Sequence, residues 1–429
     1  MTNDAHRSGD DAATADLSAS PPPYAPAAAG YGAPAPAVPP PASAPPRRDR
    51  IWIHFAWEGV LLALLLVGVG LWWLFGGDMN LLAHPDVLVD RMYISTPYLL
   101  MATALALSLR VRAVNLAIGA IAGLSAVLVY EWSPEGGLTA VGIALGAALV
   151  AGAVLALLTA GLKLPGWAAS LGVVAAVPIV AQTIVGEDGY LFFGNVGSLV
   201  SGVLMSEGVS DGEATSLSVG QGAATLIVLA AIAVSVLGGA LGMLPPVRRL
   251  LGGCRDAAAE SDRRGAGPGL ATSAALLVSS LLAGAAGILL VTPSESDFGI
   301  GSYAAGILSE PMGIGLAFAI VLLGGTSLWG KRGGVFGTFF AALILFTVHI
   351  AFDELGWWYN APWIVVGAIA AGFAVSWLFE LLGTVKPKPT PPPAPIVAPF
   401  APPPGPAFGP IFEPAPPAPV AAPSEDPTE

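Results

Sequence analysis

The chain has 429 residues, of which 55% are hydrophobic and only 11% charged, and its mean hydropathy is +0.73; ordinary soluble domains are roughly 25% charged. That composition excludes a water-soluble globule, and the single cysteine, Cys254, excludes an intramolecular disulfide and a cysteine-built metal site. The formal net charge of -12 belongs mostly to the middle of the chain, because residues 1–50 hold four basic and five acidic residues and residues 384–429 hold two and four.

Residues 1–50 contain eleven of the forty prolines, and their Pro/Ala-rich composition leaves too little apolar surface to offset chain entropy. A disordered tail with transient polyproline II structure is expected there. It contains no apolar run of the kind a cleaved leader carries, so insertion through internal segments is expected. From Ile51 onward, apolar runs of the length a hydrocarbon core of about 30 Å demands follow one another. Ten such segments fall at approximately 57–75, 91–109, 113–130, 138–160, 166–185, 220–243, 270–291, 310–328, 334–351 and 361–382. The second and third are separated only by Arg110, Val111 and Arg112, and the eighth and ninth by a Gly-rich turn, which leaves room for a short or re-entrant element in each pair. Residues 384–429 hold eighteen prolines and read as a second disordered tail. The expected organisation is a tail over 1–50, a membrane domain over 51–383 and a tail over 384–429.

Orientation follows from Lys and Arg, which concentrate on the cytoplasmic side. With the N-terminus inside and ten spans, of the seventeen basic residues only Arg91 falls outside. One span more or fewer would scatter those charges over both faces, so ten helices with both termini cytoplasmic is the expected topology. The same assignment puts fifteen acidic residues outside, among them Asp78, Asp86, Glu131, Glu135, Glu187, Asp188, Glu295 and Asp353. They read either as solubilising outer loops or as an acidic docking ring for a partner. Tryptophans such as Trp57, Trp72, Trp132, Trp167 and Trp363 sit near predicted helix ends, as interfacial anchors do.

Few residues carry chemistry. Gly325 to Arg332 nearly fits the P-loop pattern, but Arg332 stands where the Mg²⁺-binding hydroxyl belongs and no strand precedes the loop, so nucleotide binding is not expected. The four histidines are dispersed without ligand spacing; His349 alone lies within a span, near its outer end. Carboxylates and lysines are absent from mid-span positions, with Glu58 and Glu380 at helix ends, which argues against an ion-coupled carrier and against a catalytic role. The longest cytoplasmic connection, Leu244 to Gly269, contains the short Ala-rich segment Asp256 to Glu260, for which one or two helical turns are expected. It reads either as a solvated positive-inside loop or as a helix that transmits force from a soluble ATPase.

Three stretches resemble a known family. Ala113-Val-Asn115-Leu-Ala-Ile-Gly119 and the small-residue run to Ala126 resemble the third-helix segment of ribose/simple-sugar ATP-binding-cassette (ABC) importer permeases, part of the branched-chain amino acid, ribose and nucleoside permease superfamily. Val321-Leu-Leu-Gly324-Gly325-Thr326-Ser327-Leu328, followed by Gly330, Gly333-Gly334 and Gly337-Thr338, is similar to that family's VLGGTS signature. Leu251-Gly252-Gly253 sits where the family places the residues before its coupling helix, and Leu281 to Ile288 is similar to the following span. Asn115 stands where the family pattern has aspartate, and Cys254-Arg255-Asp256 where it has asparagine, glutamate and alanine.

The resemblance implies an all-α polytopic permease fold in the plasma membrane. It also implies a second permease copy or paralogue, two cytoplasmic ATP-binding subunits and an extracytoplasmic solute-binding protein. The chain itself would bind no cofactor or metal, with ATP and Mg²⁺ on the partners; the GGTS form points to the sugar branch, with branched-chain amino acids or nucleosides as alternatives. On this reading Asn115, Gly119, Gly324, Gly325, Thr326 and Ser327 are candidates for the translocation path or a hinge, Asn115 being alternatively a buried helix cap. Arg255, Asp256, Glu260, Arg263 and Arg264 are candidates for engaging the ATPase. A reading of another class is a permease-derived membrane scaffold that binds partners through Pro393-Ala-Pro395 and Pro402 to Pro404 in its tail.

Overall fold

The structure is a computed structural model that separates into residues 1–46 and 47–429. It describes residues 51–74, 84–185, 191–192, 205–206, 221–259, 266–292, 312–327, 336–354 and 361–383, all within the second unit. The two expected tails lie outside the described residues.

Eleven α-helices occur among the described residues: α1 (Ile51–Leu74), α2 (Pro85–Arg110), α3 (Ile118–Trp132), α4 (Gly137–Ala156), α5 (Gly166–Val185), α6 (Gln221–Leu241), α7 (Pro245–Ala259), α8 (Ala266–Val291), α9 (Met312–Leu323), α10 (Gly337–Glu354) and α11 (Ala361–Gly383). Each of the ten apolar segments contains a helix among the described residues, and α7 is the additional one. Among the described residues, five stretches are long and apolar enough to cross a membrane: Phe55–Leu74, Val87–Arg110, Gly137–Gly161, Gly222–Leu241 and Gly267–Val291. Stretches in α5, α9, α10 and α11 are apolar but shorter.

Three departures from the expected elements have physical causes or consequences. The third segment does not become helical at Ala113; α3 starts at Ile118, because the side chain of Asn115 holds the preceding backbone in a turn. The eighth ends at Leu323, where Gly325 adopts a φ of 81°. In the connection between α5 and α6, two-residue strands β1 (Leu191–Phe192) and β2 (Met205–Ser206) pair antiparallel, Leu191 opposite Ser206, a short pairing in an otherwise helical chain that is compatible with the expected all-α class. α4 ends in a π turn, Leu157–Gly161.

α8 is the centre of the bundle, packed against α2, α3, α4 and α7. α2 in turn packs against α6, α9 and α10, while α9 packs against α10 and α11 and α1 against α10. The successive sets α2–α5 and α8–α11 are therefore interlocked: α8 packs into the first set and α2 into the second. Tyr93 near the start of α2 donates its hydroxyl to the Thr292 carbonyl at the end of α8, 3.0 Å away, which makes α2 and α8 antiparallel.

Small residues permit this packing. Between membrane helices the apolar surroundings supply no hydrophobic drive, so close backbone approach and van der Waals contact must hold them together. In α4, Ala140, Ala144, Ala148, Gly152 and Ala156 recur at every fourth position and all are buried. A Cβ added at Gly152 would stand 2.9 Å from the Cβ of Ser280, and one added at Gly287 would overlap the backbone carbonyl of Ala122. By contrast α1, α6 and α11 expose leucines, valines and tryptophans such as Leu66, Trp73, Leu226 and Trp377, as lipid-facing surfaces do.

The α3–α8 contact has no room for a methyl group at Gly287, whereas Gly70 has nothing within 4 Å of its would-be Cβ. Gly287→Ala is expected to lower the stability of the detergent-solubilised protein by on the order of 1–3 kcal/mol, the usual cost of overpacking, while Gly70→Ala leaves it unchanged. Thermal unfolding followed by tryptophan fluorescence checks this; equal midpoints for the two variants would remove the close contact from the account.

Candidate functional site

Two interrupted turns carry the residues singled out in the sequence. The first joins α2 to α3. α2 ends in a Schellman motif: the Arg112 N–H donates to the Leu109 carbonyl at 2.9 Å and the Ala113 N–H to the Ser108 carbonyl at 3.1 Å, with Arg112 at a φ of 56°. The chain then runs through Ala113 to Ala117 without helical structure, yet Val111, Ala113, Asn115 and Ala117 are all 0% exposed. Backbone buried outside a helix needs other partners.

Side chains supply them. The Asn115 N–H donates to the Ser108 hydroxyl oxygen at 3.1 Å, and that hydroxyl donates to the Leu105 carbonyl at 2.8 Å. Asn115 Oδ1 accepts from the Ala117 N–H at 3.0 Å, an Asx turn that leads into α3. Its Nδ2 donates to the Ser279 hydroxyl on α8 at 3.1 Å. The Ser170 hydroxyl of α5 lies 3.2 Å from the Val114 carbonyl, and Gly166 lets the start of α5 touch the turn, its would-be Cβ being 2.8 Å from Ala113 Cα. Asn115 thus ties α2, α3 and α8 together, with both ends of its amide engaged. Gly119 is buried in the first turn of α3.

The second turn follows the end of α9, in residues 324–327. It opens with the same motif: the Gly325 N–H donates to the Leu322 carbonyl at 3.0 Å and the Thr326 N–H to the Val321 carbonyl at 3.1 Å. Gly325 supplies the positive φ without a Cβ clash. Gly324 presses against the start of α10; a Cβ there would lie 2.7 Å from the Thr338 nitrogen. Thr326 and Ser327 are buried, and the Thr326 hydroxyl has no hydrogen-bonding partner among the described residues.

α1 closes this turn from outside. Trp57 Nε1 donates to the Leu323 carbonyl at the end of α9, 2.9 Å away, and Glu58 Oε1 accepts from the Phe336 N–H at the start of α10, 3.0 Å away. Glu58 is only 6% exposed. A carboxylate at a helix N-terminus meets unpaired N–H groups and the positive end of the helix dipole, which explains how it is held there.

The candidate coupling residues are placed differently. α7 is a fifteen-residue helix, much longer than the one or two turns expected around Asp256, and Pro245 and Pro246 in its first turn suit a helix start. Arg255 and Asp256 lie on α7, with side chains outside the described set; Glu260, Arg263 and Arg264 lie outside the described residues. Val247, Leu251, Cys254 and Ala258 recur at helical spacing, with Arg248 and Arg249 exposed. Cys254 is buried and its thiol lies 3.5 Å from the Pro268 carbonyl, joining α7 to the start of α8.

The structure therefore gathers Asn115 and Gly119 at one turn and Gly324, Gly325, Thr326 and Ser327 at another. The sequence reading missed Ser108, Ser170, Ser279, Trp57 and Glu58. Serines in an apolar run carry no pattern, while Glu58 was visible as a carboxylate beside an apolar run but was set aside as a helix-end residue. The described part of the near-P-loop stretch follows a helix rather than a strand, and among the described residues no group of three His, Cys, Asp or Glu side chains is placed to hold a metal.

Apolar helices packed through small residues, with their interruptions buried and internally hydrogen-bonded, define an α-helical integral membrane protein. Comparison with protein-family models, with curated proteins and with solved structures finds no match to the chain.

Removing the Asn115 amide leaves the Ala117 N–H and the Ser279 hydroxyl without a buried partner, each worth about 1–3 kcal/mol. Asn115→Ala is expected to lose more stability than Ser279→Ala, and the double variant less than the sum of the two, because the two side chains share one hydrogen bond. A thermal double-mutant cycle measures this; strict additivity would show that the Asn115–Ser279 bond contributes nothing.

Proposed function

We propose that this chain is the permease subunit of an ATP-binding-cassette importer, spanning the plasma membrane with both termini cytoplasmic and forming the path for a small polar solute, a sugar by the form of its GGTS turn. The observation that carries this reading is the position of the VLGGTS-like segment. Its described residues, 321–327, end α9 in a buried turn, where Gly324 and Gly325 are held to glycine by close approach or positive φ and Gly337 at the start of α10 abuts Gly324. A signature with that much steric constraint is the part of a permease a distant relative has least freedom to change.

The proposed mechanism assigns chemistry to partners and movement to this chain. ATP-binding subunits would close and separate on the cytoplasmic side, engaging α7 through the segment Arg255 to Arg264. α7 is joined to α8 through Cys254 and Pro268, and α8 is joined to the first turn through Ser279 and Asn115. A shift of α7 thus has a continuous packed route to α8 and the α2–α3 turn. With a second permease copy, the two turns would border a path opened alternately to either side, and an extracytoplasmic binding protein would deliver the solute.

Co-purification tests the reading. A stoichiometric ATP-binding subunit is expected to accompany the full-length chain, and vesicles containing both, given the binding protein with solute, are expected to hydrolyse ATP faster than without it. Replacing Asp256 and Glu260 together should weaken the ATPase association while membrane insertion is unchanged. If no ATP-binding subunit accompanies the protein and solute does not change hydrolysis, the importer reading is lost.

A further inference from the structure

Two exposed cations occupy backbone conformations that glycine ordinarily takes. Arg112, with a φ of 56°, ends α2, and Lys163, with a φ of 57°, follows the π turn that ends α4. At Lys163 the terminus is closed by the Leu162 N–H on the Leu157 carbonyl at 2.9 Å and the Leu164 N–H on the Leu158 carbonyl at 3.0 Å. A side chain in this region costs about 1–2 kcal/mol relative to glycine. These are the only non-glycine residues with positive φ among the described residues, and both are basic and exposed.

The two turns adjoin. Lys163 lies three residues before Gly166, whose backbone abuts Ala113, the neighbour of Arg112. Arg110 is at the same end, its guanidinium 3.4 Å from the Gly238 carbonyl at the end of α6 and against Gly242, in the turn that leads into α7 with its exposed Arg248 and Arg249. No carboxylate occurs in residues 107–118, 157–170 or 238–251. Along those segments the surface carries four exposed cations, Arg112, Lys163, Arg248 and Arg249, with the less exposed Arg110 beside them, and no anion.

Its surroundings are apolar. Leu162 is 64% exposed and Trp167 56%, with Leu164, Leu244 and Leu250 also exposed. Leucines and a tryptophan flanking lysine and arginine form the arrangement that places side-chain carbon at the acyl boundary and charge at the headgroups. A soluble partner would leave the leucines on a polar face; a lipid surface accommodates both.

We propose that Arg112 and Lys163 form a binding site for the phosphate of an anionic phospholipid headgroup, with Trp167 and the flanking leucines against its acyl chains. The site requires only membrane insertion and does not depend on the importer reading.

Glycine substitution gives a discriminating test, because glycine relieves the turns while removing the charges. The full-length chain and the Arg112→Gly/Lys163→Gly variant would be placed in nanodiscs of phosphatidylcholine with increasing phosphatidylglycerol. Bound lipid would be read by native mass spectrometry and stability by thermal unfolding. The variant is expected to be as stable as the parent, or more so, in pure phosphatidylcholine, to lose the parent's preference for phosphatidylglycerol by roughly tenfold or more, and to lose the accompanying rise in midpoint. Full retention of that preference by the variant overturns the proposal. Inorganic phosphate raising the parent's midpoint as strongly as the lipid does also overturns it, in favour of a soluble anion. So does an unchanged lipid preference accompanied by loss of a co-purifying ATP-binding subunit, which would assign the cations to a protein interface.

Discussion

Every buried interruption of a helix in this protein has to find hydrogen-bond partners inside the protein, and the rest of the structure is arranged around that requirement. In a bilayer no water reaches a stray N–H or carbonyl, so non-helical backbone survives only where protein groups replace the solvent. The α2–α3 turn meets the condition with its own Asn115 and with serines from three helices, Ser108, Ser170 and Ser279. Because those partners come from α2, α5 and α8, satisfying the turn also fixes the relative placement of the helices that surround it.

The α9–α10 turn solves the same problem with different chemistry. Its own backbone closes the end of α9, and α1 supplies two further partners, Trp57 for the Leu323 carbonyl and Glu58 for the Phe336 N–H. That arrangement accounts for an otherwise costly choice. An ionisable side chain in a membrane helix is expensive unless it faces a compensating group, and Glu58 faces the N-terminus of α10, where unpaired N–H groups and the helix dipole favour negative charge. α1 otherwise presents mainly exposed apolar side chains, so this pair of polar contacts supplements its packing against α10 in fixing where it sits.

Helix existence was legible in the apolar runs, because a membrane leaves little choice: α5 begins and ends where the sequence places it, at 166 and 185. Helix ends were less legible where a single polar side chain decides them. Asn115 sits in an apolar run that periodicity reads as continuous, and only its hydrogen bond to Ala117 shows that the helix begins after it. The extent of α7 was missed for a related reason. Two adjacent glycines, Gly252 and Gly253, lower its apparent helicity, while Cys254 and Leu251 packing beside α8 stabilise it in a way local composition does not register. Of the candidate site, the glycines of the second turn were singled out through a family resemblance, and close approach at Gly324 and a positive φ at Gly325 give each a steric reason to be glycine. Ser279 and Glu58 were not, since each acts on a residue far away in the chain.

The three helix termini at Arg112, Lys163 and Gly325 show how burial changes the answer to one geometric demand. All three chains turn through the left-handed region to satisfy the last carbonyls of a helix. At Gly325 the turn is buried against α10, where a side chain has no space, and glycine is the residue that fits. At Arg112 and Lys163 the residue in that conformation is itself exposed, although the backbone around Arg112 is buried, so a long side chain can leave the protein. A cation at a helix C-terminus gains about 0.3–1 kcal/mol from the dipole, which offsets only part of the conformational cost of about 1–2 kcal/mol. Folding alone would therefore favour glycine at both positions, as at Gly325. The residual cost is one that a contact made outside the chain, to the charged surface in which the protein sits, is suited to repay.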